Sequence, residues 1–306
     1  MKSLRRRFLL NIAKVYKIVS IAEATAGDVC LYDIQNESYV IVNGKFCDID
    51  FPLTNFTPIG IVAIPGSHEI YGENTCSIIS LAEMCASSPT TGSVDSTSTL
   101  SWGPQADVGT LKNFNVVVVM NGTTLSTNGF GYLSKNGKYA STTLCIPDPY
   151  NEDMSRNPDY YNTSISAYNA MSDFNGKSNT KAIITLRGTK DYGTWKPTYN
   201  TANDYPAASC CDMFYTEGTN QGDWYLPSAG EWGYVTSKWD KIRNSFNIIN
   251  EAYGNISIAP LDNSSYWTST DHNAKNARYV HTNNGMGHTT KTTAQRARAM
   301  LIIKES

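Results

Sequence analysis

The chain has 306 residues, a formal net charge of −2 and only 17% charged residues. This length suits one large domain or two ordinary ones with a sizeable core, and the near-neutral charge argues against a broad nucleic-acid-binding surface. Aromatic residues make up 11% of the chain, including 19 tyrosines, which excludes a wholly disordered chain. The abundance of Tyr, Ser, Asn, Thr and Gly is typical of binding surfaces, where rigid aromatic and adaptable polar side chains dominate.

The N-terminus is basic, with three arginines at Arg5–Arg7 followed by a short apolar segment. It resembles the start of a secretory leader, but Lys14 and Lys17 interrupt the apolar segment that a leader requires. We expect residues 1–26 to form a basic arm. A short helix over 4–23 that docks on a partner and a cleaved leader remain as alternatives. No window reaches the apolar length of a membrane span.

From Gly27 onward the chain has the character of short β-strands, rich in β-branched and aromatic residues and separated by Asn-Gly and Pro-Gly turns. Residues 75–85 fit either a strand or a short helix. The Ser/Thr/Gly-rich segment 86–110 predicts a loop or domain boundary, and Asn121-Gly122 predicts a hairpin turn. The predicted strands are Val29–Tyr32, Ser38–Val42, Pro58–Ile64 and Asn115–Met120.

Helical patterns begin near residue 158. Residues 161–174 carry apolar residues at helical spacing and are predicted to end at Asn175-Gly176, and residues 181–187 are predicted to form a strand. A further helix is predicted from Asp204 as N-cap, with Pro206 in its first turn.

The clearest helix start is Ser228-Ala229-Gly230-Glu231, a Ser-x-x-Glu capping box. A helix or helix pair should run from there towards Asn250. Residues 261–304 have strand and turn character, so the predicted fold class is α+β.

The seven cysteines are an odd number and cannot all pair within one chain. We expect small buried side chains, with a redox or nucleophilic centre at the adjacent Cys210 and Cys211 as the alternative. An acidic group around Pro147 fits a solvated loop, or less readily a calcium site. The remaining cysteines are Cys30, Cys47, Cys76, Cys85 and Cys145, and the acidic residues are Asp148, Glu152, Asp153 and Asp159.

Residues 222–232 read Gly-Asp-Trp-Tyr-Leu-Pro-Ser-Ala-Gly-Glu-Trp, and residues 265–270 read Ser-Tyr-Trp-Thr-Ser-Thr. Both segments resemble signatures of the C-type lectin fold of the formylglycine-generating-enzyme type and of its non-enzymatic relatives, which include the C-terminal domains of bacterial collagen-like proteins. The resemblance covers about residues 160–304. It implies a buried scaffold formed by Trp224, Leu226, Pro227, Glu231, Tyr266, Trp267, Arg278 and Arg298.

A less specific resemblance concerns residues 57–62, which are similar to the front modules of surface or phage tail proteins of gut Bacteroides. Together the two resemblances imply a small β-rich module at 27–110, followed by a C-type lectin-like domain at 111–306.

Between Tyr266 and Arg298, scaffold-like residues alternate with a mixture rich in histidine and threonine. This pattern resembles the variable region of proteins diversified by retroelements, which mutate template adenines and so turn Asn codons into Thr, His, Asp, Ser or Tyr codons. The resemblance implies a ligand-binding variable region at about 266–298, and an ordinary polar loop is the alternative. The candidate ligand-binding residues are Asp271, His272, Asn273, Lys275, Tyr279, His281, Met286, His288, Thr290, Thr292, Thr293 and Gln295, among neighbours Thr289, Ala294 and Arg296.

The implied function is recognition of a host-cell surface protein or glycan, by a phage tail receptor-binding protein or a cell-surface adhesin. The alternatives are a fimbrial or surface structural subunit and a divergent formylglycine-generating-type oxidoreductase. We expect no enzyme activity, because no cysteine follows Cys211 and the Gly-Gly-Ser-Trp element of the enzymes is missing.

The calcium motifs Glu-Pro-Asn and Trp-Asn-Asp of sugar-binding lectins are also absent, so we expect no metal or other cofactor. We expect no nucleic-acid partner and a location in the virion or at the cell surface. A homotrimer and attachment to a phage tail both remain open.

Overall fold

The computed structural model describes residues 18–43, 55–66, 74–94, 98–105, 115–120, 123–128, 173–185, 205–252, 258–272, 275–282 and 285–304. Residues 161–172 of the helix predicted over 161–174 lie outside these residues, and its last two residues, 173 and 174, are not helical. The acidic group near Pro147, the Asn121-Gly122 turn, Cys47, Cys145 and Asn273 also lie outside the described residues.

The described part of the chain is α+β, as predicted. Its strands are β1 (Ile18–Val19), β2 (Val29–Asp33), β3 (Ser38–Val42), β4 (Phe56–Ile64), β5 (Thr75–Ser80), β6 (Asn115–Met120), β7 (Thr123–Asn128), β8 (Ser265–Asp271), β9 (Asn276–His281), β10 (Gly285–Thr290) and β11 (Met300–Lys304). Its helices are α1 (Gly176–Thr185), α2 (Pro206–Met213), α3 (Ala229–Ser237) and α4 (Trp239–Ala252).

Six strands form one antiparallel sheet in the order β1-β3-β2-β4-β5-β11, and three more form a second sheet in the order β10-β9-β8. The strands β6 and β7 pair as a hairpin. The predicted strands at 29–32, 38–42, 58–64 and 115–120 are confirmed, and the first part of 75–85 is a strand. The last seven residues of β4 are buried in succession, because both faces of the large sheet are covered.

Each face of the six-stranded sheet contributes to its own apolar core. On one face, Val29 and Ile61 pack with Trp232, Ile242 and Phe246 of α3 and α4. On the other face, a second set packs against residues of α1, α2 and the Trp102 segment; it includes Cys30, Val62, Ile78, Ile183 and Ala207. The large sheet is therefore the central layer.

The C-terminal strand completes the sheet that the N-terminal strands begin. β11 pairs with β5 from Met300 opposite Ile79 to Lys304 opposite Thr75, and Leu301 and Ile303 lie in the same core as Cys76 and Ile78. The predicted division into 27–110 and 111–306 is therefore not a division between two cores. The local residue pattern of the sequence does not reveal that β5 and β11, more than 200 residues apart, pair with each other.

Two local predictions are wrong. Residues 181–185 belong to α1 rather than to a strand, because the buried positions 176, 179, 180, 183 and 184 follow helical spacing and the core accepts that face. The helix proposed over 4–23 is also wrong at its C-terminal end, where residues 18–23 are not helical. Ile18 and Val19 pair with β3 instead, and Ile21 and Ala24 enter the core.

The other helix predictions hold with small shifts. A helix begins at Pro206, with Tyr205 rather than Asp204 at the N-cap position. The capping box at Ser228 starts α3, and α4 continues to Ala252, so the predicted helix pair is confirmed. Among the described helices, none combines the length and apolar character that crossing a bilayer requires.

Candidate functional site

The three-stranded sheet carries half of the candidate ligand-binding residues, and its pairing decides which of them share a face. Val280 lies opposite Met286 and Tyr266, and Arg278 lies opposite His288. Since directly opposed residues of an antiparallel pair point to the same face, these five side chains share one face. We call it the helix face, because α3 packs against it.

The other face of the sheet packs on the segment around Trp102, and we call it the loop face. Trp267 donates its indole N–H to the Leu100 carbonyl at 2.7 Å, and Trp102 donates its own to the Thr268 carbonyl at 2.7 Å. On the helix face, the Tyr266 ring stacks on Trp232 with centroids 4.7 Å apart. Both faces of β8 are therefore fixed by aromatic packing.

The eight residues assigned to the scaffold are all buried. Arg298 is fully enclosed and donates to the Glu83 carboxylate at 3.2 Å and to the carbonyls of Ser80, Ala259 and Pro260 at 3.0–3.1 Å. Burial raises the pKa of Glu83 despite the opposing effect of Arg298 and Arg296. This cluster joins the end of β5 to the segment before β11.

A second buried network fixes the start of α3. The Glu231 carboxylate accepts from the Ser228 backbone N–H at 2.7 Å and from the Tyr225 hydroxyl at 2.9 Å. The Ser228 hydroxyl donates to the Asp173 carbonyl, and the Thr270 hydroxyl donates to the Asp173 carboxylate at 2.6 Å. The capping box therefore also ties β8 to the segment before α1.

The candidate ligand-binding residues do not form one face. Tyr279 and His281 lie on the loop face, opposite Gly287 and Gly285, whereas His288 lies on the helix face. The Tyr279 ring packs directly on Gly287. A Cβ atom at position 287 would lie only 2.5 Å from this ring. The expectation of a single surface spanning these residues is therefore wrong, because the two-residue period of a strand separates positions 279 and 281 from position 288.

A smaller group does come together where β8 ends, β9 begins and β10 ends. The rings of His272 and His288 stack with centroids 4.1 Å apart, and the Thr290 and Thr293 hydroxyls are 2.7 Å apart. The backbone N–H of Lys291 donates to the Lys275 carbonyl at 2.9 Å. We call this group the sheet-end patch; it consists of His272, Lys275, His288, Thr290, Thr292 and Thr293.

Exposed side chains of the sheet-end patch are joined through the chain to a buried ion pair. Lys275, His288, Thr290 and Thr292 are exposed. Next to them in the chain, on the loop face, the Lys291 ammonium lies 3.0 Å from the Asp271 carboxylate, and both side chains are almost fully buried. The same ammonium lies 4.7 Å from the centre of the Trp102 ring.

The remaining candidates take part in ion pairs, backbone pairing or core packing. Asp271 belongs to the buried ion pair, and Gln295 forms a backbone bridge with Leu100. Met286 packs partly against the core on the helix face. Arg296 pairs with Asp262 at 3.2 Å.

Both histidines of the patch favour the neutral form. Burial, followed by the charges of Arg278 and His288, lowers the pKa of His272 to about 4. Burial and then Arg278 also lower the pKa of His288. At neutral pH the patch therefore offers two uncharged imidazoles, hydroxyls and the Lys275 ammonium.

Lys291 and Trp102 were not among the predicted site residues, although they support the patch. Lys291 is the single charged residue in the run Thr289-Thr290-Lys291-Thr292-Thr293, which is the signal that could have marked it. Its burial depends on an aspartate 20 positions earlier and a tryptophan from a distant loop, and neither contact is visible in the sequence.

The described cysteines are free thiols, and all except the half-buried Cys85 are buried. Burial raises the pKa of Cys211 well above its usual value, which is opposite to the lowered pKa of a reactive cysteine. Cys210 and Cys211 lie in α2 and are part of the apolar core, as we expected from the sequence. Among the described residues no cluster of three or more metal-ligating side chains is present.

No family model and no curated protein matches the chain. Among solved structures, a fimbrial protein from Bacteroides ovatus is similar, with 16% sequence identity and a TM-score of 0.44 over 91% of this chain. The chain spans about half (48%) of the length of that protein.

Proposed function

We propose that this protein is a non-catalytic recognition protein with a C-type lectin-like frame, and that the sheet-end patch contacts its partner. The observation that carries the proposal is the placement of exposed His288, Thr290 and Lys275 beside the buried Asp271–Lys291 ion pair, which joins the end of β8 to the turn after β10. Because this ion pair fixes the backbone next to the patch, the contact residues are already positioned, and less entropy is lost on binding.

The chemistry of the patch fits a polar partner on a cell surface. Neutral imidazoles and threonine hydroxyls donate and accept hydrogen bonds, and the stacked histidine rings add flat apolar area. The patch is small, so the partner class that it fits is a glycan or a short polar protein segment. This assignment gives the chain the role of an adhesin or a phage receptor-binding protein.

Diversification belongs to the same proposal. The histidines and threonines of the patch are one base change from Asn codons, and they lie outside the two apolar cores, so they can be exchanged without disturbing the frame. Copies of the gene should differ at His272, His288, Thr290 and Thr292 and agree at Trp267 and Arg298. Differences spread evenly over both sets would contradict diversification.

The binding role is tested with a panel of bacterial and epithelial cells and the labelled full-length chain. Wild-type protein should bind at least one cell type saturably, and the variant Lys275→Ala/His288→Ala/Thr290→Ala should lose about tenfold or more in affinity. The matched control is Glu217→Ala/Asn220→Ala, which changes exposed residues outside the patch. Absence of binding to every cell type, or equal affinities of both variants, would overturn the proposal.

A further inference from the structure

A pocket separate from the sheet-end patch lies between α1 and the segment that leads from the end of α2 to Tyr225. Its volume is about 320 Å³, which is within the range of small-molecule sites. It shares no lining residue with the sheet-end patch, so its role is independent of the function proposed above.

The α1 side of the pocket is positively charged. Lys177 and Lys181 both line it and are exposed. They are four positions apart on a helix, so their side chains lie on the same face, one turn apart. Thr185 continues this row by one further turn and also lines the pocket. Two ammonium groups on one row are suited to hold a single anionic group.

The other side of the pocket carries an acceptor. Asp212, at the end of α2, is only 8% exposed and lines the pocket. The Gly222 N–H donates to the Asp212 carbonyl at 2.7 Å, and Gly222 has φ +90°, which favours glycine over any residue with a side chain. The wall at Gly222 therefore stays free of a side chain.

The remaining walls are held in place by buried hydrogen bonds. The Trp224 indole N–H donates to the Thr219 hydroxyl at 3.0 Å. The Tyr225 hydroxyl donates to Glu231 at 2.9 Å, and the Thr180 hydroxyl accepts from the Leu226 N–H at 3.0 Å. The pocket is thus formed before any ligand arrives, which favours specific binding.

We propose that this pocket binds an acidic monosaccharide, such as a uronic acid. The sugar carboxylate would lie between Lys177 and Lys181, and its hydroxyl groups would donate to the Asp212 carboxylate. A neutral sugar lacks the anion for the lysines. A small inorganic anion lacks the row of hydroxyl donors for Asp212, so both should bind more weakly.

The test is titration of the full-length chain with glucuronate, followed by ligand-observed NMR and calorimetry. Saturable binding with a Kd at or below about 1 mM is expected. Lys177→Gln and Lys181→Gln should each weaken it by about fivefold or more, because each removes a charge-assisted contact. Lys238→Gln is the matched control, since Lys238 is exposed and does not line the pocket.

Glucose and inorganic phosphate are the comparison ligands, and each should bind at least about tenfold more weakly than glucuronate. The proposal is overturned by no saturable glucuronate binding up to about 10 mM. It is also overturned by equal affinities in the two pocket variants and the Lys238→Gln control, or by phosphate or glucose binding as tightly as glucuronate. None of these outcomes affects the role of the sheet-end patch.

Discussion

At the scale of single residues, His272 links the sheet-end patch to pH. Its pKa is lowered to about 4 by burial and by the nearby Arg278 and His288, whereas an unfolded histidine has a pKa of about 6.5. Between these values the unfolded chain binds more protons at this residue than the folded chain does. Folding stability should therefore be full above about pH 6.5 and fall as the pH drops towards 4.

The melting temperature measured across this range checks the prediction. The variant His272→Asn should lose less stability between pH 7 and pH 4.5 than the wild type does, because asparagine does not titrate. Lys275→Gln, an exposed change beside it, serves as the control. Identical pH profiles for His272→Asn and wild type would show that His272 titrates normally.

At the scale of elements, the start of α1 packs closely against the start of α3. A Cβ at Gly176 would lie 2.1 Å from a Glu231 carboxylate oxygen and 2.7 Å from the Tyr225 ring. Gly176→Ala should therefore destabilise the protein by about 1–3 kcal/mol through overpacking. Helix propensity alone predicts the opposite sign, a gain of about 1 kcal/mol.

Urea unfolding measures this difference. Ser178→Ala is the matched variant, since Ser178 is exposed in the same helix and should be neutral or slightly stabilising. A gain in stability for Gly176→Ala equal to that of Ser178→Ala would show that α1 does not pack closely on the capping box.

The same elements show what the sequence could and could not predict. The Ser228–Glu231 box marks a helix start from local chemistry alone, and the structure confirms it. Ile183 and Ile184 favour a strand locally, but a buried face at helical spacing makes them helical. The split of His281 and His288 between two faces depends on the hairpin register, which a polar sequence specifies weakly.

At the scale of the whole molecule, Arg298 connects the segment before β11 to the residues that follow β5. It is fully buried against Glu83, while the Arg296 side chain, 3.6 Å from the same carboxylate, is 16% exposed. Arg298→Met should cost about 3–5 kcal/mol, because Glu83 loses its principal buried partner. Arg296→Met should cost about 1 kcal/mol or less.

Denaturant unfolding of both variants tests this contrast. Since residues on both sides of position 110 share one core, Arg298→Met should lower the midpoint of a single cooperative transition. Two separate transitions, or equal small losses for both arginines, would contradict the shared core.

The most direct test of the recognition surface is the matched pair His288→Ala and His281→Ala, assayed on cells that the wild-type chain binds. The two changes remove the same side chain from opposite faces of one hairpin. We expect His288→Ala to weaken cell binding by about fivefold or more and His281→Ala to leave it within about twofold. Equal effects, or a larger loss for His281→Ala, would place the contact surface elsewhere.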